Sequence, residues 1–315
     1  MDNTHFPNIT LCCIDNQYPD LGFDALLRST RHFTFGEVLF FTASNFVPPQ
    51  HQIANLRIIP IDHIVDLHTY STFLIKDLNR YIFNNRILIV QWDGFITHPD
   101  LWQDQFLQYD YIGAPWPRNE GLLVGNGGFS LRSKKLLIAL QDEHIDAKHP
   151  EDQCICLEYR PYLETHHGIS FAPPELAEQF AFELKKPSFD CFGFHGVCNL
   201  PLVLTDLELL MLIEQLPPKF IFTEQFSQFI NTCQKVHGIE ILEAIQDKVL
   251  ALTANMTSEM RSSRLYRHII KTSIRQKLYR LAVATLQKRT EVTGWNIDAL
   301  FLLLRIYAFK LFHLF

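Results

Sequence analysis

The stretch RILIVQWDG, residues 86–94, decides the fold. Ile87 to Val90 are apolar without alternation, as in a strand buried on both faces of a parallel sheet. The run passes directly into Gln91-Trp92-Asp93-Gly94, so a carboxylate stands at the strand's carboxyl end. Ligands of open α/β sheets bind beyond that end. Working toward the N-terminus, Leu56–Ile61, Glu37–Thr42 (EVLFFT) and Ile9–Asp15 read as further strands. Helical spacing separates them. Leu21, Ala25, Leu26 and Phe33 share one face, and a second helix is predicted over Thr69–Phe83. This alternation predicts an α/β, Rossmann-like fold with a mostly parallel central sheet flanked by helices.

Downstream the pattern changes. YDYIGAPWP (109–117) precedes VGNGGFSLRS (124–133), where Gly125, Gly127 and Gly128 preclude a regular helix. A short helix is expected over Ser133–Gln141. Another begins near Pro150, with Glu151 and Asp152 in its first turn, and runs to about Glu164. Residues 171–200 are loop-rich and include SFDCFGFHG (188–196). From Pro201 the pattern is helical, with candidates Glu208–Gln215, Glu224–His237, Glu240–Asn255, Ser258–Arg289 and Trp295–Phe315. The expected organisation is an α/β domain over 1–200 and a basic, amphipathic helical region over 201–315.

Composition is globular: 315 residues, 47% hydrophobic and 20% charged, with 26 phenylalanines suited to core filling. The seven cysteines fit no disulfide or zinc pattern and are expected as reduced, mostly buried thiols. The first residues lack a basic, apolar leader, and no 18-residue apolar run exists, so a cytoplasmic protein without a membrane-spanning helix is expected.

Four motifs carry candidate chemistry. Asp93 can bind a hard cation through oxygen, although Asp-Gly after a strand is also an ordinary turn. The run Gly125-Asn126-Gly127-Gly128 can turn backbone amides toward a ligand or simply shape a loop. It matches neither the P-loop nor the dinucleotide pattern. Asp152 and Glu151 suit a general base and its neighbour, or compensation of a helix dipole. His195, between glycines, can reach a metal or serve as a structural histidine, and His166-His167 is a competing pair.

Taken in order, LIVQWDGFI, YDYIGAPWP, VGNGGFSLRS, PEDQCICLEYRPYLE, FAPPELAEQFAFE and FGFHG resemble the GT-A-type glycosyltransferases, in particular the domain-of-unknown-function 5672 family, over roughly residues 35–200. The resemblance implies a metal-assisted glycosyltransferase, hexosyltransferase-like and inverting. It implies a nucleotide-sugar donor, a glycan or lipid-linked acceptor, and Mn2+ or Mg2+. Asp93 and His195 would hold the metal. Gln91, in the place of a first acid, would hydrogen-bond the donor, and Asp15 would contact the nucleoside. Asp152 would be the base, with Glu151 orienting the acceptor. Trp116, Asn126, Gly127 and Gly128 would line the acceptor cleft.

The C-terminal stretch has its own character. Residues 261–315 hold eleven Lys/Arg and two acids, a net +9, while the whole chain is −6 and the remainder therefore −15. Arg261, Arg264, Arg267, Lys271 and Arg275 fall within an arc of about 120° on a helix. Asp298–Phe315 is amphipathic. Anionic membrane association through 261–315, on the inner face of a membrane, is one expectation. Packing within the chain or in a homo-oligomer is the other. No nucleic-acid-binding motif occurs.

Two other functions compete. A nucleotidyltransferase would release pyrophosphate, but LCCIDNQYPD lacks its usual glycine-rich signature. A non-catalytic glycan- or nucleotide-binding protein would have no chemical need for Asp93, Asp152 and His195 together.

Overall fold

The structure is a computed structural model that describes residues 4–50, 53–118, 121–184, 186–254, 270–271, 273–275 and 279–312. It divides into two compact units, Met1–Gly196 and Val197–Phe315.

The first unit is the predicted α/β architecture. Strands β1 (Thr4–Ile14), β2 (Phe33–Thr42), β3 (Leu56–Pro60), β4 (Arg86–Val90), β5 (Tyr111–Gly113) and β8 (Ser130–Ser133) form a six-stranded sheet in the order β3-β2-β1-β4-β8-β5. The first four run parallel, and β8 runs antiparallel to both β4 and β5. In β1, Leu11 and Cys13 enter one core cluster with Val38, Phe40, Leu88 and Val90. Cys12 and Ile14 enter another with Leu39, Phe41, Ile87 and Ile89. Alternate residues thus feed two buried faces, the reason Leu11–Ile14, Val38–Phe41 and Ile87–Val90 carry no polar alternation. Helix α1 (Pro19–Thr30) covers one face. Gly22 lets it approach closely, because a Cβ there would meet the Cys13 sulfur at 3.2 Å and the Phe40 ring at 3.2 Å.

Two of the predicted helices of this unit, Thr69–Phe83 and the one beginning near Pro150, are broken where the sequence pattern shows one period. The first starts as α2 (Leu67–Thr72), capped reciprocally by Asp66 and Thr69, then widens to a π turn over Phe73–Asp77 and tightens to a 3-10 turn over Leu78–Arg80. Lys134 then takes both the carbonyl and the side-chain oxygen of Asn79, at 2.7 and 2.6 Å. The second starts as the single turn α4 (Glu151–Gln153), passes through a π turn over Cys154–Glu158 and resumes as α5 (Arg160–His167). Pro161 has no N–H to continue the ladder, which accounts for the break. The helix outlasts the expected Glu164 and ends at Gly168, in the left-handed region at φ 59°.

Between β5 and β8 lies the antiparallel hairpin of β6 (Pro115–Arg118) and β7 (Gly121–Val124), and helix α3 (Lys134–Ala139) follows β8. Helix α6 (Pro174–Phe180) leads into β9 (Ala181–Phe182), which pairs in parallel with β10 (Gly193–Phe194). All seven cysteines are free thiols, six of them buried.

The second unit is helical, with α7 (Leu200–Val203), α8 (Asp206–Gln215), α9 (Glu224–Val236), α10 (Ile239–Ala254), α11 (Tyr279–Thr293) and α12 (Ile297–Phe312). A Thr205–Glu208 capping box starts α8. Ala282 and Leu286 of α11 bury against Ala299, Leu302 and Ile306 of α12, together with Ile270 and Ile274. The beginning of the predicted helix Ser258–Arg289, with Arg261, Arg264 and Arg267, lies outside the described residues. Among the described residues no helix is long and apolar enough to cross a membrane.

Candidate active site

The carboxyl ends of β1 and β4 deliver the first acids. Beyond β4 the chain folds back in a tight turn. The Gln91 N–H donates to the Gly94 carbonyl and the Gly94 N–H to the Gln91 carbonyl, each at 2.9 Å. That turn presents Asp93. Gly94 is needed because its backbone is pressed against the histidine: a Cβ there would stand 2.9 Å from His195 Cδ2. Asp15 leaves β1, and its Oδ1 accepts the N–H groups of Gln17 at 2.9 Å and Tyr18 at 2.7 Å. Burial pushes the Asp15 carboxyl up to about 6 against the lowering effect of those bonds, and the nearby Asp93 charge adds to the rise.

His195 arrives from the far end of the unit. The β9–β10 pairing and its N–H bond to the Phe182 carbonyl, 2.9 Å, fix its backbone. The Gly196 N–H donates to the Asp93 carbonyl at 2.8 Å, tying the two motifs together. The ring is held on both sides. Nδ1 lies 3.2 Å from Glu183 Oε1, and Nε2 lies 3.1 Å from Gln91 Oε1 and 3.6 Å from Asp93 Oδ1. Burial disfavours its charged form. The Asp93 carboxylate, the bond to Glu183 and the charges of Glu183 and Asp152 outweigh this, and its pKa is pushed up to about 9. The ring lies against the glycine loop. A Cβ on Gly128 would fall 2.1 Å from His195 Nε2, so no side chain fits there.

The glycine loop is itself locked from below. Asn126, at φ 69°, is buried; its Oδ1 accepts the Phe129 N–H at 3.1 Å, and its carbonyl accepts the Tyr111 hydroxyl at 2.8 Å. Arg132 is fully buried, with Nη2 3.1 Å from Glu151 Oε1 and Nε donating to Ser130 Oγ at 3.0 Å. Burial lifts the Glu151 carboxyl above the usual range, opposed by the Arg132 charge. Glu151 therefore sits beneath Gly127, where a Cβ would meet its Oε1 at 1.8 Å. Its neighbour Asp152 is half-buried and accepts the Gly127 N–H at Oδ2, 3.2 Å. Adjacent in sequence, the two acids face different surroundings.

The structure thus brings Gln91, Asp93, Asn126, Gly127, Gly128, Asp152 and His195 around one point. Gln91 is engaged within the protein, with Oε1 toward His195 and Nε2 donating to the Tyr70 hydroxyl at 2.7 Å. Trp116 packs its ring on Gly125 and donates Nε1–H to Glu183 Oε2 at 3.0 Å, so it is buried rather than presented as an open platform. His167 lies elsewhere, 2.9 Å from Asp142, and His166 stacks on Tyr162.

Sequence reading passed over Glu183. It closes the segment FAPPELAEQFAFE, but nothing local marks an acid after Phe182 as half-buried behind a histidine. Burial favours its neutral form, yet bonds from His195, Asn126 and Trp116 hold its pKa below the usual carboxylate range.

Residues 54–195 match the family described as "Protein of unknown function (DUF5672)", so the resemblance read in the sequence holds over that segment. No curated protein matches the chain. Among solved structures, galactosyltransferase LgtC in complex with donor and acceptor sugar analogs is similar at 13% identity and TM-score 0.38, covering 59% of this chain and 86% of that one. The apo-form glycosyltransferase GlyE of Streptococcus pneumoniae TIGR4 is similar at 12% identity and TM-score 0.37, covering 60% of this chain and 54% of that one.

Proposed function

We propose that the first unit is a glycosyltransferase that moves a sugar, with inversion, from a nucleoside-diphosphate donor to a hydroxyl of a glycan or lipid-linked acceptor. The observation that carries this reading is the meeting of Asp93, His195, the glycine loop and Asp152 at the carboxyl end of β4. Ligand sites of open α/β sheets form at such ends.

The residues fit a divalent cation, Mn2+ or Mg2+. Asp93 Oδ1 and His195 Nε2, 3.6 Å apart, are one oxygen and one nitrogen donor. Glu183 behind Nδ1 supplies the carboxylate that metal-bound histidines commonly have. No group of three or more His, Cys, Asp and Glu side chains is placed to hold a metal among the described residues. Diphosphate oxygens and water would complete the shell. A bound cation supplies charge against that growing on a departing diphosphate.

The chain's own residues supply the rest. Asp15 and Asp93 flank the donor's place. The loop Gly125–Gly128 gives close backbone approach, and Glu151 with Arg132 fixes that loop from beneath. Asp152 Oδ accepts the acceptor's hydroxyl proton as the oxygen bonds to the anomeric carbon. The bond from that carbon to the diphosphate breaks, and the diphosphate leaves with the electron pair.

The test is a thermal-shift and product assay over nucleoside diphosphates and nucleotide-sugars, with and without Mn2+. The expected result is a Mn2+-dependent rise of the melting point with one nucleotide, lost in Asp93→Ala, and release of a nucleoside diphosphate. Asp152→Asn should keep the shift and lose about 10²–10⁴-fold in kcat. Release of pyrophosphate from a nucleoside triphosphate would replace this reading with nucleotidyl transfer. Binding without turnover would leave a sugar-nucleotide-binding protein.

A further inference from the structure

Helix α12 has two apolar faces. One, carrying Ala299, Leu302 and Ile306, is buried in the core of the second unit. The other is open: Ile297, Phe301 and Leu304 are 78%, 68% and 59% exposed, and Leu300, Tyr307 and Leu311 are exposed beside them. At 100° per residue these six fall within about 120°, directly opposite the buried face, along a helix about 24 Å long. A soluble helix ordinarily carries its charges there. Trp295, just before the helix, is exposed as well.

The surroundings of the stripe are cationic. Arg305 and Lys310 are exposed, one on each side of it. Lys271 and Arg305 line a groove of about 610 Å³ with Phe301, Leu304 and Ala308. The acid in that groove, Asp298, is paired with Arg289 at 2.9 Å. Residues 261–315 carry a net +9 in a chain of net −6.

We propose that the exposed face of α12 is a membrane-docking surface for anionic lipid, lying in the plane of the interface. The stripe enters the head-group and acyl boundary, while Lys271, Arg305 and Lys310 meet lipid phosphates. Charge complementarity selects this occupant over a second copy of the chain. A symmetric pairing of the face would set one cationic rim against another, which costs free energy. An anionic surface satisfies the apolar stripe and its rim together. The assignment is independent of the reaction at the end of β4.

The experiment is co-sedimentation of the full chain with phosphatidylcholine vesicles, with and without phosphatidylglycerol, at low and high salt. The expected result is partition into anionic vesicles that weakens with salt. Phe301→Glu and Leu304→Glu should each lower the partition coefficient about tenfold or more, and Arg305→Gln less. Both apolar sites are exposed, so the melting temperature should hold. Trp295 gives a readout in the unaltered chain: its emission should shift to the blue on anionic vesicles, and the shift should vanish in Trp295→Phe. No partition and no shift would overturn the proposal. So would equal binding to neutral vesicles, or a dimer abolished by Leu304→Glu in a chain that ignores vesicles.

Discussion

The parallel strands β1–β4 and the segment from Gly125 to His195 both supply the candidate site, but they are held differently. Asp15 and Asp93 are placed by strands whose apolar runs end beside them, and the Asp15 carboxylate accepts N–H groups from residues two and three further on. In the second region each functional group depends on distant partners. His195 meets Gln91 across 104 positions, Trp116 meets Glu183 across 67, and Arg132 meets Glu151 across 19. The difference teaches where the molecule is fragile. Local turns tolerate isosteric change, whereas a buried polar network leaves an uncompensated group whenever one member is lost.

The sharpest way to break that contrast is Arg132→Ala. It strands the Glu151 carboxyl beneath Gly127 and should lower unfolding free energy by about 3–5 kcal/mol in urea denaturation. A loss under about 1 kcal/mol, the range of surface changes, would end the claim that this network holds the loop. Glu183→Gln comes next. It keeps the shape behind His195 and removes the charge, so Mn2+ affinity by calorimetry should fall about 10–100-fold with the melting temperature little changed. Unchanged affinity would take Glu183 out of the proposed metal site.

The last effect belongs to the local region. Asp15 has its pKa raised from the ordinary 3.8 to about 6 in the fold, so between those values the folded chain binds more proton than the unfolded one. Stability therefore falls as pH rises through that window. Asp15→Asn keeps an acceptor for Gln17 and Tyr18 and carries no charge to bury. Above pH 6 it should be more stable than the wild type by up to about 3 kcal/mol, and the gap should close below pH 4. A gap that widens in acid would reverse the assignment.

Much of the sheet was legible because a strand segment buried on both faces must be apolar at every position, and the inner runs Leu11–Ile14 of β1, Val38–Phe41 of β2 and Ile87–Val90 of β4 are. Strand ends were less so. The chain extends β1 back to Thr4 and β2 back to Phe33, where Phe6, Phe33 and Phe35 pack together. The π turns at Phe73 and Cys154 escaped notice because apolar spacing does not distinguish nearly equal periods. Among candidate site residues, the ligand-facing types were visible as residues. Their surroundings were not: the sequence offers Asp152 as a base and Glu151 as its neighbour toward the acceptor, and only packing sets Glu151 over buried Arg132 and Asp152 at the Gly127 amide.

By itself the sequence determined the alternation of strand and helix, the acid after β4, the order of the glycine loop, the acid pair and the histidine, and the amphipathy of the last helix. Those follow from short-range rules of period, turn chemistry and charge. The tertiary structure alone decided that Glu183 stands behind His195, that Gln91 turns inward to Tyr70 and His195, and that α12 buries one apolar face and leaves another open. Each of those depends on what lies across space, where burial sets the cost of every unpaired charge and exposed apolar surface.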